Sequence, residues 1–278
     1  MTKEVSVGNV KIGGKNPLTL IAGPCAIEGY DMCLRIGQEV KSICKKLGVQ
    51  YIFKASYDKA NRMSGTTPRG PGIEDGLIIL GEIKSALGVP VLTDVHEVCQ
   101  VEPTAAVVDV LQIPAFLCRQ TDLVVAAAKT GKPVNIKKGQ FLSPYDMKNI
   151  VQKVVLTGND QVLLTERGVS FGYGNLIVDM KSLAIMRELG FPVIFDATHS
   201  VQKPGGLGNA TGGDKEFVPH LVRAATAVGI DALFLETHPE PASALSDAAT
   251  MLPLAQLESV LSQALAIHKL VRQEGIIE

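Results

Sequence analysis

The sequence has no surplus of charge of either sign. Its 27 Lys and Arg stand against 28 Asp and Glu, a formal net charge of -1 over 278 residues. That excludes a general electrostatic hold on nucleic acid or on an anionic membrane surface, so any phosphate chemistry must come from locally placed charge. Long apolar runs are missing too. Stretches such as Leu123 to Ala128 fall far short of the roughly 18 residues a membrane span needs, and a soluble protein is expected. No secretory signal opens the chain, and the five cysteines, Cys25, Cys33, Cys44, Cys99 and Cys118, include no Cys-x-x-Cys pair. An odd number of thiols without a disulfide framework suits reduced cysteines in a cytoplasm. Nor is any break long or polar enough for a linker, so a single domain over residues 1–278 is the expectation.

What is present is a repeating unit. Runs rich in Val, Ile, Leu and Phe that end in polar or turn residues recur at Leu18–Cys25, Gln50–Ser56, Val89–His96, Val110–Phe116, Pro133–Gly139, Gln161–Gly168, Pro192–Ser200 and Asp231–Pro239. These eight read as strands. Between them, helical spacing of apolar residues predicts helices at Met32–Leu47, Ile73–Leu87, Thr121–Lys129, Ser143–Val155, Ser182–Leu189 and Glu216–Val228, with a last one at Leu254–Val271. Asp31 and Ser143 are placed to cap two of them, Ser143 with Pro144 at the first helical position. Gly48, Gly88 and Gly190 each stand just past a last apolar residue.

Strand then helix, repeated, means parallel strands joined by crossover helices. Eight such units within about 220 residues favour an α/β fold closed into a (β/α)8 TIM barrel over an open doubly wound sheet. The segment Glu4–Gly14 alternates apolar and polar residues around Gly8-Asn9 and predicts a β-hairpin capping the bottom of the barrel.

In such a barrel the active site lies at the C-terminal ends of the strands, where polar residues have little reason to serve packing. Those ends carry Cys25, Lys54, Asp94, His96, Gln112, Lys137, Lys138, Glu166, Arg167, Asp196, His199, Glu236 and His238. Closure sets the eighth strand beside the first, so Cys25, His199, Glu236 and Asp247 converge on one sector of the rim. A thiol, an imidazole and two carboxylates suit a divalent transition ion such as zinc, iron or manganese rather than calcium or magnesium. The competing reading makes Cys25 a small buried hydrophobe and His199 a hydrogen-bonded core residue.

A second group is cationic: Lys54, Lys59, Arg62, Arg69, Arg119, Lys137, Lys138 and Arg167 fall at strand ends or just after them. In a chain of balanced charge they predict a positive mouth for phosphorylated or carboxylated reactants. Two glycine-rich loops, Ser64–Gly72 and Lys203–Gly213, read as lids but match neither the dinucleotide nor the Walker pattern. Cys33, Cys44, Cys99 and Cys118 are expected to pack.

The stretches Gly23-Pro-Cys-Ala-Ile-Glu28, Phe53-Lys-Ala-Ser-Tyr-Asp-Lys-Ala-Asn-Arg62, Thr93-Asp-Val-His-Glu97, Ile113-Pro-Ala-Phe-Leu-Cys-Arg-Gln-Thr-Asp122, Asn135-Ile-Lys-Lys-Gly-Gln-Phe141, Phe171-Gly-Tyr173, Asp196-Ala-Thr-His-Ser200 and Glu236-Thr-His-Pro239 closely resemble the 3-deoxy-D-manno-octulosonate 8-phosphate synthases. The likeness runs over about residues 18–270. It implies a (β/α)8 enzyme, generally a homotetramer, that condenses phosphoenolpyruvate with arabinose 5-phosphate and releases phosphate, its product supplying lipopolysaccharide biosynthesis. Cys25 and Pro204-Gly-Gly206 after His199 resemble the metal-dependent branch, implying ligation by Cys25, His199, Glu236 and Asp247. The resemblance further implies phosphoenolpyruvate binding by Lys54, Lys59, Gln112, Lys137 and Arg167. For the sugar phosphate it implies Asn61, Arg62 and Arg119, the last across a subunit interface. Where the family usually has Ser or Thr after Asn-Arg, this chain has Met63, and Ser64 is a candidate for the hydroxyl role.

Proton transfer falls to Lys54, Asp94, His96, Lys137 or His199. The sister synthase that uses erythrose 4-phosphate typically reads Lys-Pro-Arg-Thr-Ser where this chain reads Lys59-Ala-Asn-Arg-Met63, which favours the five-carbon sugar. A Schiff-base aldolase with Lys54 or Lys137 as the amine is a further rival, as is a phosphate-binding barrel without chemistry. The front hairpin is too short for an allosteric domain and nothing follows the last helix, so no feedback control by aromatic amino acids is expected.

Overall fold

In a computed structural model of the chain, which describes residues 1–60, 67–205 and 212–273, the predicted alternation is present throughout. In chain order the elements are β1 (Glu4–Val7), β2 (Val10–Gly13), β3 (Thr19–Gly23), α1 (Tyr30–Leu47), β4 (Gln50–Lys54), α2 (Ile73–Leu87), β5 (Val91–Asp94), α3 (Val98–Val107), β6 (Val110–Ile113), α4 (Thr121–Lys129) and β7 (Val134–Lys137). There follow α5 (Met147–Val155), β8 (Val162–Glu166), α6 (Lys181–Arg187), β9 (Val193–Asp196), β10 (Gln202–Lys203), β11 (Gly212–Gly213), α7 (Val218–Val228), β12 (Ala232–His238), β13 (Leu252–Pro253) and α8 (Leu254–Gln273). Strands β3 to β9 pair in parallel in chain order, and β12 pairs with both β9 and β3, closing the barrel.

Side chains of a strand alternate between faces, and here the two faces pack against different partners. Leu20, Phe53, Val91, Leu111, Ile136, Leu164, Phe195 and Leu233 join one core with the surrounding helices. Their neighbours Ile21, Ile52, Leu92, Val110, Leu163, Ile194, Ala232 and Phe234 form a second core with Val5, Val7, Val10 and Ile12 of the β1–β2 hairpin. The hairpin therefore plugs the N-terminal end of the barrel, as its alternation predicts. The same parity fixes what comes next: two residues beyond Ile52, Leu92, Val110, Ile194 and Phe234, the inward positions are Lys54, Asp94, Gln112, Asp196 and Glu236.

Helix ends follow the expected chemistry with two exceptions. Gly48 and Gly88 end α1 and α2 in the left-handed conformation, at φ 69° and 61°. Ser143 accepts a hydrogen bond from the Tyr145 N–H at 3.3 Å, opening a short 3-10 turn that leads into α5. Asp31, expected as a cap, instead lies in the first turn of α1, where its charge favours the helix dipole, and Gly29 holds the cap position. Helix α3 is absent from the sequence reading. It contains Pro103 and a weak apolar stripe, and its start is set by Gln100, whose Oε1 accepts the N–H groups of His96 (2.8 Å) and Glu97 (3.3 Å).

All five cysteines are free thiols. Cys33, Cys44 and Cys118 are buried packing residues, but Cys99 is exposed, contrary to expectation, because the first turn of α3 turns it outward. No described helix is long and apolar enough to cross a membrane.

Candidate active site

The C-terminal mouth holds a cavity of about 360 Å³ lined by Lys54, Lys59, Asp94, His96, Gln112, Lys137, Arg167, His199 and Asp247 among others. One wall is the sector formed by β3, β12 and the loops after β9 and β12. Cys25 Sγ, a Glu236 oxygen and an Asp247 oxygen lie within 4.8 Å of one another. His199 Nε2 is 3.6 Å from Glu236 Oε2 and 3.8 Å from Asp247 Oδ2. The other imidazole nitrogen, Nδ1, is 2.6 Å from Asp196 Oδ2, so a carboxylate orients the ring and directs Nε2 at the cluster. Glu236 Oε2 is buried without a hydrogen-bond partner among the described residues. A buried unpaired carboxylate oxygen beside sulfur, nitrogen and a second carboxylate is a donor set that fits a divalent transition ion. Burial, with Asp247 and Glu236 close by, pushes the Cys25 thiol well above its usual range. Asp247 is the one non-glycine among the described residues at positive φ, 52°. Backbone held there costs free energy and persists where the surroundings enforce it.

The opposite charge comes from lysines on the inward faces of β4 and β7. Lys54 Nζ donates to Glu236 Oε1 (2.5 Å) and to the Cys25 carbonyl (2.9 Å), and Lys59 Nζ is 3.7 Å from the same Glu236 oxygen. Lys137 pairs with Asp196 at 2.5 Å and lies 4.0 Å above the centroid of the Phe234 ring, whose quadrupole also favours a cation. Burial pulls the Lys137 ammonium down more strongly than Asp196 holds it up. For Glu236, burial would raise the carboxyl, but Lys54, His199 and Lys59 together hold it well below the carboxylate range. Asp94 is lowered in the same way by Lys54 and Lys59 against burial. Arg167 donates through Nη2 to Gln202 (2.6 Å) and has Nη1 buried without a partner among the described residues. Arg167 lines the cavity, and a guanidinium with an unused donor there suits an anionic oxygen.

Several expectations require correction. Lys138 does not join the mouth. It follows Lys137, points to the other face, and sits wholly buried 3.4 Å from Glu166. Glu166 in turn accepts the N–H groups of Arg167 (2.9 Å) and Gly168 (2.7 Å), so it braces the arginine from behind. Arg69 is exposed and paired with Asp58 at 2.8 Å. Arg119, expected to serve a neighbouring subunit, is exposed and outside the cavity lining of this chain. His238 is buried, with Nδ1 accepting from the Glu240 N–H at 3.0 Å, a structural role. Asn61, Arg62, Met63 and Ser64, and Gly206 of the second glycine-rich loop, lie outside the described residues. Gln202, Gln140 and Ser246 line the cavity without having been singled out, since they lie beyond the ends of the barrel strands, in the short β10 or in loops, with no periodic signal.

A (β/α)8 barrel whose catalytic rim joins buried cations to a thiol, imidazole and carboxylate cluster is the layout of an enzyme acting on small anions. The chain belongs to the DAHP synthetase I family, whose model matches residues 2–273. It is 59% identical over 272 residues to the 2-dehydro-3-deoxyphosphooctonate aldolase of Geotalea uraniireducens, covering 98% of this chain and 100% of the relative. Proteins of the same name from Desulfatibacillum aliphaticivorans (56% over 270 residues, 97% and 99% covered) and Geobacter sulfurreducens (54% over 272 residues, 98% and 100% covered) are similar along their whole length.

Proposed function

We propose that this chain is a 3-deoxy-8-phosphooctulonate synthase: a transferase that condenses phosphoenolpyruvate with D-arabinose 5-phosphate and water, giving 3-deoxy-D-manno-octulosonate 8-phosphate and inorganic phosphate. What carries the reading is the buried cation set of Lys54, Lys137 and Arg167 beside the Cys25, Glu236 and Asp247 cluster, in a chain whose full-length relatives bear the octonate name. Those names favour the octonate product over the sister reaction with erythrose 4-phosphate.

Lys54, Lys59, Gln112, Lys137 and Arg167 bind the phosphate and carboxylate of phosphoenolpyruvate, leaving its C3 free to attack the aldehyde. A carbon–carbon bond forms, water adds at C2, and the resulting hemiketal phosphate expels phosphate by breaking its C2–O bond. The cations hold negative charge in a site where burial strengthens each contact. Asp94 and His96, both at the cavity wall, are placed to move protons. Lys54 and Lys137 each donate to a carboxylate, an arrangement that fits anion ligands better than an amine nucleophile. Asn61, Arg62, Ser64 and Arg119 take the sugar phosphate, Arg119 from a neighbouring subunit of a homotetramer. Cys25, His199, Glu236 and Asp247 would hold zinc, iron or manganese, which supplies Lewis acidity toward the aldehyde or water. The product serves lipopolysaccharide biosynthesis, in the cytoplasm.

The test is phosphate release from phosphoenolpyruvate with arabinose 5-phosphate, before chelation, after it, and after divalent metal is restored. Activity that vanishes and returns is expected. Turnover untouched by a chelator that strips the metal would remove the metal from the mechanism, and release only with erythrose 4-phosphate would overturn the substrate.

A further inference from the structure

Four polar side chains on successive strands form one hydrogen-bonded row across the barrel interior. Thr165 on β8 donates its hydroxyl to Oδ1 of Asn135 on β7 at 2.6 Å, and Asn135 Nδ2 donates to Oε1 of Gln112 on β6 at 2.7 Å. Gln112 Nε2 then donates to Oδ1 of Asp94 on β5, whose other oxygen accepts from Ser56. Thr165, Asn135 and Ser56 are fully buried, and Gln112 and Asp94 nearly so.

The direction of the row follows from its acidic end. An ionised carboxylate only accepts, so Gln112 must turn its NH2 toward Asp94 and its carbonyl toward Asn135. Asn135 must then offer its own NH2 to Gln112, which leaves its carbonyl for Thr165, and the hydroxyl meets that carbonyl as a donor. Reversing either amide alone would set like against like in a place without water. Of the row, Asp94 and Gln112 line the cavity, while Asn135 and Thr165 do not.

We infer that Asn135 and Thr165 are positioning residues that hold the Gln112 amide in the orientation Asp94 selects, so that its remaining N–H is offered to an oxygen of the anionic enol substrate. The inference rests on the proposed placement of phosphoenolpyruvate at Gln112. Two of the five buried polar groups therefore act on a substrate they do not touch.

The experiment compares Thr165→Val, which keeps shape and removes the donor, with Thr165→Ser, which keeps the hydroxyl, measuring KM for each substrate, kcat, and phosphoenolpyruvate binding by calorimetry. Thr165→Val is expected to raise the KM and Kd for phosphoenolpyruvate about tenfold, the loss of one buried hydrogen bond's worth of orientation. The KM for arabinose 5-phosphate should stay within about twofold, and Thr165→Ser should restore wild-type values. In a Gln112→Met background the Thr165→Val effect should disappear, since no amide remains to be oriented. An unchanged KM in Thr165→Val, an equal loss for both substrates, failure of Ser to rescue, or an effect that persists without Gln112 would each overturn the inference. If Thr165→Val does not fold, Thr165→Cys carries the same expectations. The wild-type assay separates the two claims: wild-type protein that neither binds phosphoenolpyruvate nor releases phosphate from it sinks the functional reading, whereas a normal wild type with an indifferent Thr165→Val sinks this one.

Discussion

At the N-terminal end of the barrel, Ile21, Ile52, Leu92, Val110 and Ile194 meet Val5, Val7, Val10 and Ile12 of the hairpin in one buried apolar cluster. One inward position further along the same strands, the C-terminal end collects Lys54, Asp94, Gln112 and Asp196, nearly or fully buried and mostly charged. Phe234 belongs to both, packing below with the hairpin core and facing Lys137 above at 4.0 Å. The lower end gains free energy by removing apolar surface from water. The upper end buries charges that burial alone disfavours, and ion pairs such as Lys54 with Glu236 and Lys137 with Asp196 offset that cost. Stability and chemistry are thereby assigned to opposite ends of the same strands, and substitutions at the two ends should separate them.

The largest effect is expected at the ligand cluster. Cys25→Ala should abolish bound metal and lower phosphate release at least roughly 10³-fold, with the thermal midpoint little changed. Metal analysis beside a melting curve checks this, and a metal-free variant with full activity would break the division. Next comes Arg167→Lys, which keeps the charge but loses the planar fork. It should cost about 10²-fold in kcat/KM for phosphoenolpyruvate, and steady-state kinetics showing less than about a threefold loss would show that the Arg167 guanidinium does not meet the anion. From the other end, Ile12→Ala should cost about 2–4 kcal/mol of stability in a denaturant titration while leaving kcat per folded molecule unchanged.

The smallest effect concerns pH. His268 on α8 is held down to about 4 from 6.5, by burial first and then by Arg272. A base whose folded pKa is lowered binds its proton more readily when unfolded. Its contribution is therefore complete above about 6.5 and is lost as pH falls toward about 4. His268→Gln should flatten the stability profile across that window, and unfolding midpoints measured at pH 7 and pH 5 would show it.

The lower end was the more legible in sequence, and the reason is periodicity. Alternation in Glu4–Gly14 and in the apolar runs specifies which residues face inward without reference to anything distant. At the upper end the same parity could have excluded Lys138, which must oppose Lys137, and it could have flagged Asn135 and Thr165 as polar residues on inward positions of otherwise apolar strands. Residues supplied from outside the barrel strands were harder. Gln202, Gln140 and Ser246 follow no period, and α3 was hidden by Pro103 and by its weak apolar face.

Strand count, hairpin, strand-end chemistry and the identity of Cys25, His199, Glu236 and Asp247 as a candidate donor set were determined by the sequence itself, because alternation and residue type are local properties. Only the tertiary structure decided that Glu236 Oε2 has no hydrogen-bond partner among the described residues, that the partner of Lys138 is Glu166, and that Thr165, Asn135, Gln112 and Asp94 join in one direction. Those facts depend on which strands lie side by side once the barrel closes, and hydrogen-bond polarity exists only between neighbours in space.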